Sequence, residues 1–89
     1  MKYNDEIHLM TVEDVQSFFR HLAFERKVNF HPDDSFEQYI DIDSHEPTFS
    51  EKECKLYNRL MDEAFDTCDK CNVDIYSIGL TQLRTSFNL

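Results

Sequence analysis

Between Ser50 and Cys71, apolar positions return with the spacing of a helix. Placed about 100° apart, Cys54, Tyr57, Leu60, Met61, Ala64, Phe65, Cys68 and Cys71 fall on one face. The opposite face carries Lys52, Lys55, Asn58, Arg59, Asp62, Glu63, Asp66, Asp69 and Lys70, and only Leu56 sits at the margin of the stripe. A partition this clean over about six turns predicts a helix with one buried side. Its start is encoded twice. Ser50 and Glu53 have the S-x-x-E spacing of a capping box, and Phe49 with Cys54 has that of a hydrophobic staple.

A second helix is predicted from Thr11. The hydroxyl of Thr11 can cap it, Glu13 and Asp14 meet the positive end of the macrodipole, and Met10 with Val15 has staple spacing. Its stripe is Val12, Val15, Phe18, Phe19, Leu22 and Ala23, and His21 falls on the polar side. Arg26 would enter the stripe, which ends the helix near residue 26. Pro32 then pushes His31 out of helical geometry. From Asp33 to Asp43, Phe36, Tyr39 and Ile40 fit a short helix capped by Asp33 or Asp34, whereas Phe36, Ile40 and Ile42 fit strand alternation. The helix is preferred. After Cys71, Asn72 suits a left-handed helix closure and Asp74 a new cap, with Val73 and Ile78 as a staple. Tyr76, Leu80, Leu83 and Phe87 continue a terminal helix that Gly79 weakens by about 1 kcal/mol relative to Ala.

The expected fold is all-α: a small single-domain helical bundle of three to four helices, near 12–26, 34–41, 51–71 and 74–85. Residues 1–10 read as an amino-terminal arm that touches the body through Ile7, Leu9 and Met10, and 11–89 as the domain. The helices at 12–26 and 51–71 are expected to form an antiparallel spine.

Composition agrees with a small globular domain. The 89 residues are 40% hydrophobic and 13% aromatic, too apolar for wholesale disorder, while one Gly and two Pro are too few for a sandwich of short strands. No run approaches the roughly 20 apolar residues of a membrane span, and the first ten residues lack a secretion signal, so a soluble, cytoplasmic protein is expected. Eighteen acids against nine bases give a formal charge of −9, which repels nucleic-acid phosphates and anionic membranes. The imbalance is uneven. No Lys or Arg occurs from Val28 to Glu51, a stretch that holds Asp33, Asp34, Glu37, Asp41, Asp43, Glu46 and Glu51.

The three cysteines invite a chemical reading, because Cys68-x-x-Cys71 has the spacing of a redox pair or half a zinc site. Redox thiols sit at a helix amino end or beside a cation, whereas these lie near a carboxyl end with Asp66 and Asp69 alongside. Cys54 stands fourteen residues from Cys68 on the same helix, roughly 21 Å by helical rise, so it cannot complete a four-ligand site. All three thiols are therefore expected to pack inward as small hydrophobes. Asp41-x-Asp43-x-His45 begins like a calcium loop but has Glu46 at the sixth place and Lys52 at the twelfth, where Gly and Glu are required. His8, His21, His31 and His45 form no acid-oriented base, and no phosphate loop or nucleophile elbow is present. No catalytic residue, cofactor or metal site is therefore assigned.

The polar face of the long helix has its charges reversed relative to the macrodipole. Lys52, Lys55 and Arg59 come early, while Asp62, Glu63, Asp66 and Asp69 crowd the later half, with Arg59–Glu63 and Asp66–Lys70 spaced as local pairs. Two acidic surfaces thus emerge, one over 33–46 and one over 62–69. The expected function is a non-enzymatic interaction or regulatory module presenting Asp33, Asp34, Glu37, Asp41, Asp43, Glu46, Asp62, Glu63, Asp66 and Asp69 to a basic protein partner. One alternative is inhibition of a nucleic-acid enzyme by mimicry of phosphates, and another is a metal- or thiol-dependent protein using Cys68 and Cys71. A homodimer through Tyr76, Leu80, Leu83 and Phe87 is a further expectation, since a chain this small can leave that face uncovered.

Overall fold

In the computed structural model, which describes the backbone of residues 3–87 and side chains through Thr85, helices begin where the sequence places caps. The Thr11 hydroxyl accepts from the Asp14 amide and the Asp14 carboxylate accepts from the Thr11 amide, both at 3.1 Å, opening α1 at Val12–Arg20. Asp14 also takes the Met10 amide at 2.9 Å. That bond holds Met10 at the helix mouth with its side chain 76% exposed, so the expected Met10–Val15 staple does not form and Leu9 turns inward instead.

At His21 the winding widens. His21–Glu25 continue α1 as a π-helical turn, with the Arg26 amide donating to the His21 carbonyl at 3.0 Å. The turn closes through Lys27 in the left-handed region, at φ 54°, while the Val28 amide reaches back to the Leu22 carbonyl. The helix expected over 12–26 is present, with a change of pitch that spacing alone does not announce. Its effect is to bury Leu22 and Ala23 while carrying Arg26 to Glu53 of the long helix and over the Phe49 ring, 4.7 Å from its centroid.

The expected helix at 34–41 shrinks to a single 3-10 turn, Phe36–Gln38. Tyr39 is extended, at φ −82° and ψ 116°, because its carbonyl accepts from the Thr48 amide at 2.9 Å and Ile40 forms an isolated antiparallel bridge with Pro47. Neither periodic reading of this stretch holds for its isoleucines, since Ile40 and Ile42 are 53% and 88% exposed. Phe36 alone of the apolar set is fully inside, and its amide is capped from a distance by Asn58 Oδ1 at 3.0 Å.

α2 spans Glu51–Lys70 and opens on the Ser50–Glu53 capping box. Phe49 and Cys54 are both buried, with the Cys54 thiol directed at the Phe49 carbonyl, as the staple requires. The helix ends at a Schellman closure: Asn72 takes φ 56° and donates to the Asp69 carbonyl, while the Val73 amide donates to that of Cys68. α3 follows at Ile75–Phe87, with Asp74 accepting from the Tyr76 amide and the Ser77 hydroxyl. It buries Ile75, Ile78 and Leu83. Where it crosses the 30–32 segment, Phe30 and Pro32 come within 3.5 and 3.7 Å of where a β-carbon on Gly79 would stand.

Contacts along α1 and α2 run in opposite senses, joining Leu9 to Thr67, His21 to Tyr57 and Arg26 to Glu53. The two helices are therefore antiparallel. Between them the core is aromatic, with Tyr57 packed edge-on or tilted against Phe18, Phe36 and Phe49 at centroid distances of 5.9, 5.3 and 5.2 Å. Such pairs add about 0.5–1.5 kcal/mol each beyond burial of their area. The stretch 3–10 lies along the body and is held by side chains of α2. Arg59 donates to the carbonyls of Asp5 and Ile7 at 3.3 and 3.0 Å, Glu63 accepts from the Leu9 amide at 2.9 Å, and Thr67 donates to the Leu9 carbonyl at 2.7 Å. Among the described residues, no helix is long and apolar enough to cross a membrane.

Candidate functional site: an acidic cleft beside the long helix

The ten acids singled out from the sequence divide by what they touch. Glu37 accepts from the Ser35 hydroxyl and the Asn58 amide, which together lower its carboxyl below the usual range. Asp41 folds back on its own loop, accepting the Ser44 and Asp43 amides at 3.0 and 2.8 Å, and those bonds likewise lower it. Glu63 is desolvated, which alone would raise it. The Leu9 amide, His8 and Arg59 outweigh that effect and hold it low. These three carboxylates serve the fold.

Others are not consumed in this way. Asp43, Glu46, Asp62, Asp66 and Asp69 are exposed and make no salt bridge among the described residues. The Asp66–Lys70 pair expected from their spacing is therefore not made, while Arg59–Glu63 is. Asp33 and Asp34 sit between the two classes. Asp33 accepts from the Tyr76 hydroxyl at 2.7 Å and Asp34 from that of Tyr39 at 3.2 Å. These neutral donors fix the carboxylates without cancelling their charge. Burial, aided by the Asp34 charge, pushes the Tyr39 hydroxyl up to about 12, so it remains a donor.

The fold brings the two acidic stretches together at one place. Asp33 and Asp34, from the loop that Pro32 starts, line a cleft of ≈ 310 Å³ with Asp62 of α2. Buried Pro32 and Met61 and half-buried Phe65 form its apolar floor, and Ser35 and Asn58 complete the wall. No lining residue is cationic. The edge is stiffened by Tyr76, whose ring packs T-shaped on Phe65 at 6.2 Å and tilted on His31 at 5.7 Å. Asp41, Asp43 and Glu46 belong to the separate loop closed by the Ile40–Pro47 bridge and are not part of this cleft.

The cysteines require a correction. Cys54 and Cys68 are buried, and burial raises both thiols, as suits packing. Cys71 is exposed, against the expectation for all three. It lies on the apolar stripe, but as the C-cap residue it stands where α2 turns away, and no element among the described residues covers it. Among the described residues, no three or more His, Cys, Asp or Glu are grouped to hold a metal ion. Leu83, expected on a dimer face, is 7% exposed and belongs to the core, while Tyr76 and Leu80 remain 42% and 47% exposed. The Phe87 side chain lies outside the described residues.

His21 was expected on the solvent side but is enclosed, its side chain only 12% exposed. Nδ1 faces Glu25 at 2.8 Å and Nε2 faces the Tyr57 hydroxyl at 3.0 Å, beneath the Tyr3 ring at 4.7 Å. With a carboxylate at Nδ1, the neutral ring donates there and accepts the Tyr57 proton at Nε2. The i, i+4 spacing of His21 and Glu25 was readable, but Tyr3 and Tyr57 come from elsewhere in the chain. Against known proteins, no family model, curated protein or solved structure matches this chain.

Proposed function

We propose that this chain is a non-enzymatic interaction module that presents acidic surface to a basic protein partner. One observation carries the reading: Asp62, Asp66 and Asp69 are exposed without a salt-bridge partner among the described residues, toward the carboxyl end of α2. Negative charge in the last turns of a helix opposes the macrodipole by about 0.3–1 kcal/mol per group at the surface. Asp69 and its neighbour Asp66 thus do nothing for the helix they stand on. A basic partner would turn that cost into attraction, raising the association rate by steering.

The test is capture from native lysate on the immobilised chain, at low and high salt, beside a variant carrying Asp62→Lys, Asp66→Lys and Asp69→Lys. A partner held at low salt should be released near 1 M, where screening acts within about 3 Å, and should be absent from the variant. Capture unaffected by both treatments would reject the acidic surface as the binding face. A captured nucleic-acid enzyme whose activity the chain blocks would instead favour phosphate mimicry.

A further inference from the structure

We propose that Cys68 and Cys71 form a reversible oxidation site, at which a hydroperoxide oxidises exposed Cys71 and Cys68 then closes a disulfide that loosens the junction of α2 and α3. The inference does not depend on the docking reading above. It rests on an asymmetry within one turn: Cys68 is 2% exposed and belongs to the core, whereas Cys71 stands exposed at the C-cap. One thiol can meet an oxidant and the other cannot. Residues three apart on a helix have α-carbons roughly 5 Å apart by its rise and radius, inside the range of about 4.4–6.8 Å that a disulfide bridges. Their β-carbons, roughly 5–6 Å apart, must close to about 3.5–4.5 Å, so this turn has to tighten. It is already leaving helical geometry: Cys71 has φ −91° and ψ 0°, its amide is shared between the Thr67 and Asp69 carbonyls, and Asn72 follows in the left-handed region. Cys54, roughly 21 Å back along α2 by helical rise, cannot compete.

The setting suits a site that is oxidised once and then restored by a reductant, not one that turns over. Beside Cys71 lies a depression of ≈ 230 Å³, ample for a peroxide, whose charged lining is mixed, with His8 and Lys70 against Glu63 and Asp66. No single cation dominates to hold a thiolate, as it does in redox enzymes. In the first step the Cys71 thiolate attacks one oxygen of hydrogen peroxide, the O–O bond breaks and water leaves, which makes Cys71 a sulfenic acid. In the second, Cys68 gives up its proton and attacks the Cys71 sulfur; the S–S bond forms, the S–O bond breaks and a second water departs. The two thiols lose two electrons, and the peroxide takes them up. Closure draws Cys68 Sγ out of the core at the residue whose carbonyl receives the Val73 amide at 2.9 Å, next to the bond from the Asn72 amide to the Asp69 carbonyl at 3.2 Å. Those bonds set the turn into α3, so Ile75, buried just past it, loses cover.

The probe is hydrogen peroxide, added to the full chain purified under reducing conditions and then removed. Alkylation in denaturant, counted by mass, reads the free thiols, and the untreated chain should take three groups, one per cysteine. After peroxide the chain should be lighter by two hydrogen atoms and take a single group, on Cys54, and dithiothreitol should restore all three. Cys71→Ser, a change at an exposed position, should leave Cys54 and Cys68 alkylated equally before and after peroxide. Oxidation of the parent chain should shift amide signals across residues 66–78, and Cys71→Ser should show no such shift. Disulfide-linked dimers as the main product, Cys71 carried to sulfinic acid while Cys68 stays alkylated, or a chain that peroxide leaves unchanged would overturn the assignment. A Cys68–Cys71 bond whose shifts stop at the two cysteines would overturn the loosening of the α2–α3 junction.

Discussion

The two halves of α2 use charge differently. In the amino-terminal half, polar groups are tied into the fold: Glu53 completes the capping box and pairs with Arg26, and Asn58 caps Phe36 and holds Glu37. Inside that half lies the aromatic cluster of Phe36, Phe49 and Tyr57, with Arg26 laid over Phe49. In the carboxyl-terminal half, among the described residues, Glu63 and Thr67 are engaged in this manner, Glu63 through Arg59, His8 and Leu9 and Thr67 through the Leu9 carbonyl, but no other charged group is. Asp62, Asp66 and Asp69 are exposed beside them and make no salt bridge among the described residues. One helix thus carries a structural end and an end whose charges the fold does not need, and the second is where a binding role belongs.

The largest expected effect lies at the structural end. Phe36→Ala removes a ring in contact with Phe49, Tyr57 and Tyr39 and should cost about 3–5 kcal/mol, read by chemical denaturation. A loss below about 1 kcal/mol would mean the connector does not depend on this cluster. Tyr57→Phe keeps the ring but leaves His21 Nε2 without its donor in a nearly closed site, and should cost about 1–3 kcal/mol. Tyr57→Phe at no cost would show that the His21 contact adds nothing to stability.

Acid titration sharpens the contrast. Arg26 holds the Glu53 carboxyl below its ordinary range. A carboxylate lowered on folding contributes stability that is fully present above its unfolded pKa, near about 4.3 for Glu, and is lost as pH falls through the folded value. The Glu53 contribution should therefore be complete above about pH 5 and be lost below it, and Glu53→Gln should make the decline of stability at acid pH shallower. An unaltered acid limb in Glu53→Gln would remove Glu53 from the structural set. The smallest effect is expected at the other end of the helix. Asp66→Asn and Asp69→Asn should leave stability unchanged or raise it by a few tenths of a kcal/mol, measured from the shift of the denaturation midpoint.

How much of this was legible in the sequence follows from the range of the interaction involved. Most local signals held, because their partners lie within a turn: the Thr11 and Ser50 caps, the inward stripe from Cys54 to Cys68, the left-handed Asn72 and the Asp74 cap, though the Met10–Val15 staple and the Asp66–Lys70 pair did not form. Features set by distant partners were hidden. His21 is enclosed by Tyr3 and Tyr57, and the 34–41 stretch gives up its helix to pair Tyr39 with Thr48 and Ile40 with Pro47. Thr67, unremarkable by periodicity, is buried because Leu9 offers it a carbonyl. Cys71 fits the stripe and is still exposed, since a stripe says which way a residue faces and not whether anything covers it. For the candidate site, composition picked out the acids. Only the tertiary fold separates Glu37, Asp41 and Glu63, which hold the structure, from Asp62, Asp66 and Asp69, and sets Asp62 across a cleft from Asp33 and Asp34.

The division of α2 is tested most directly by measuring stability and partner capture on one variant, Asp62→Asn with Asp66→Asn and Asp69→Asn. The expected result is a denaturation midpoint equal to or above that of the parent chain together with loss of salt-sensitive capture. A fall in stability of more than about 1 kcal/mol, well outside the usual range for exposed charges, or capture that survives intact, would contradict it.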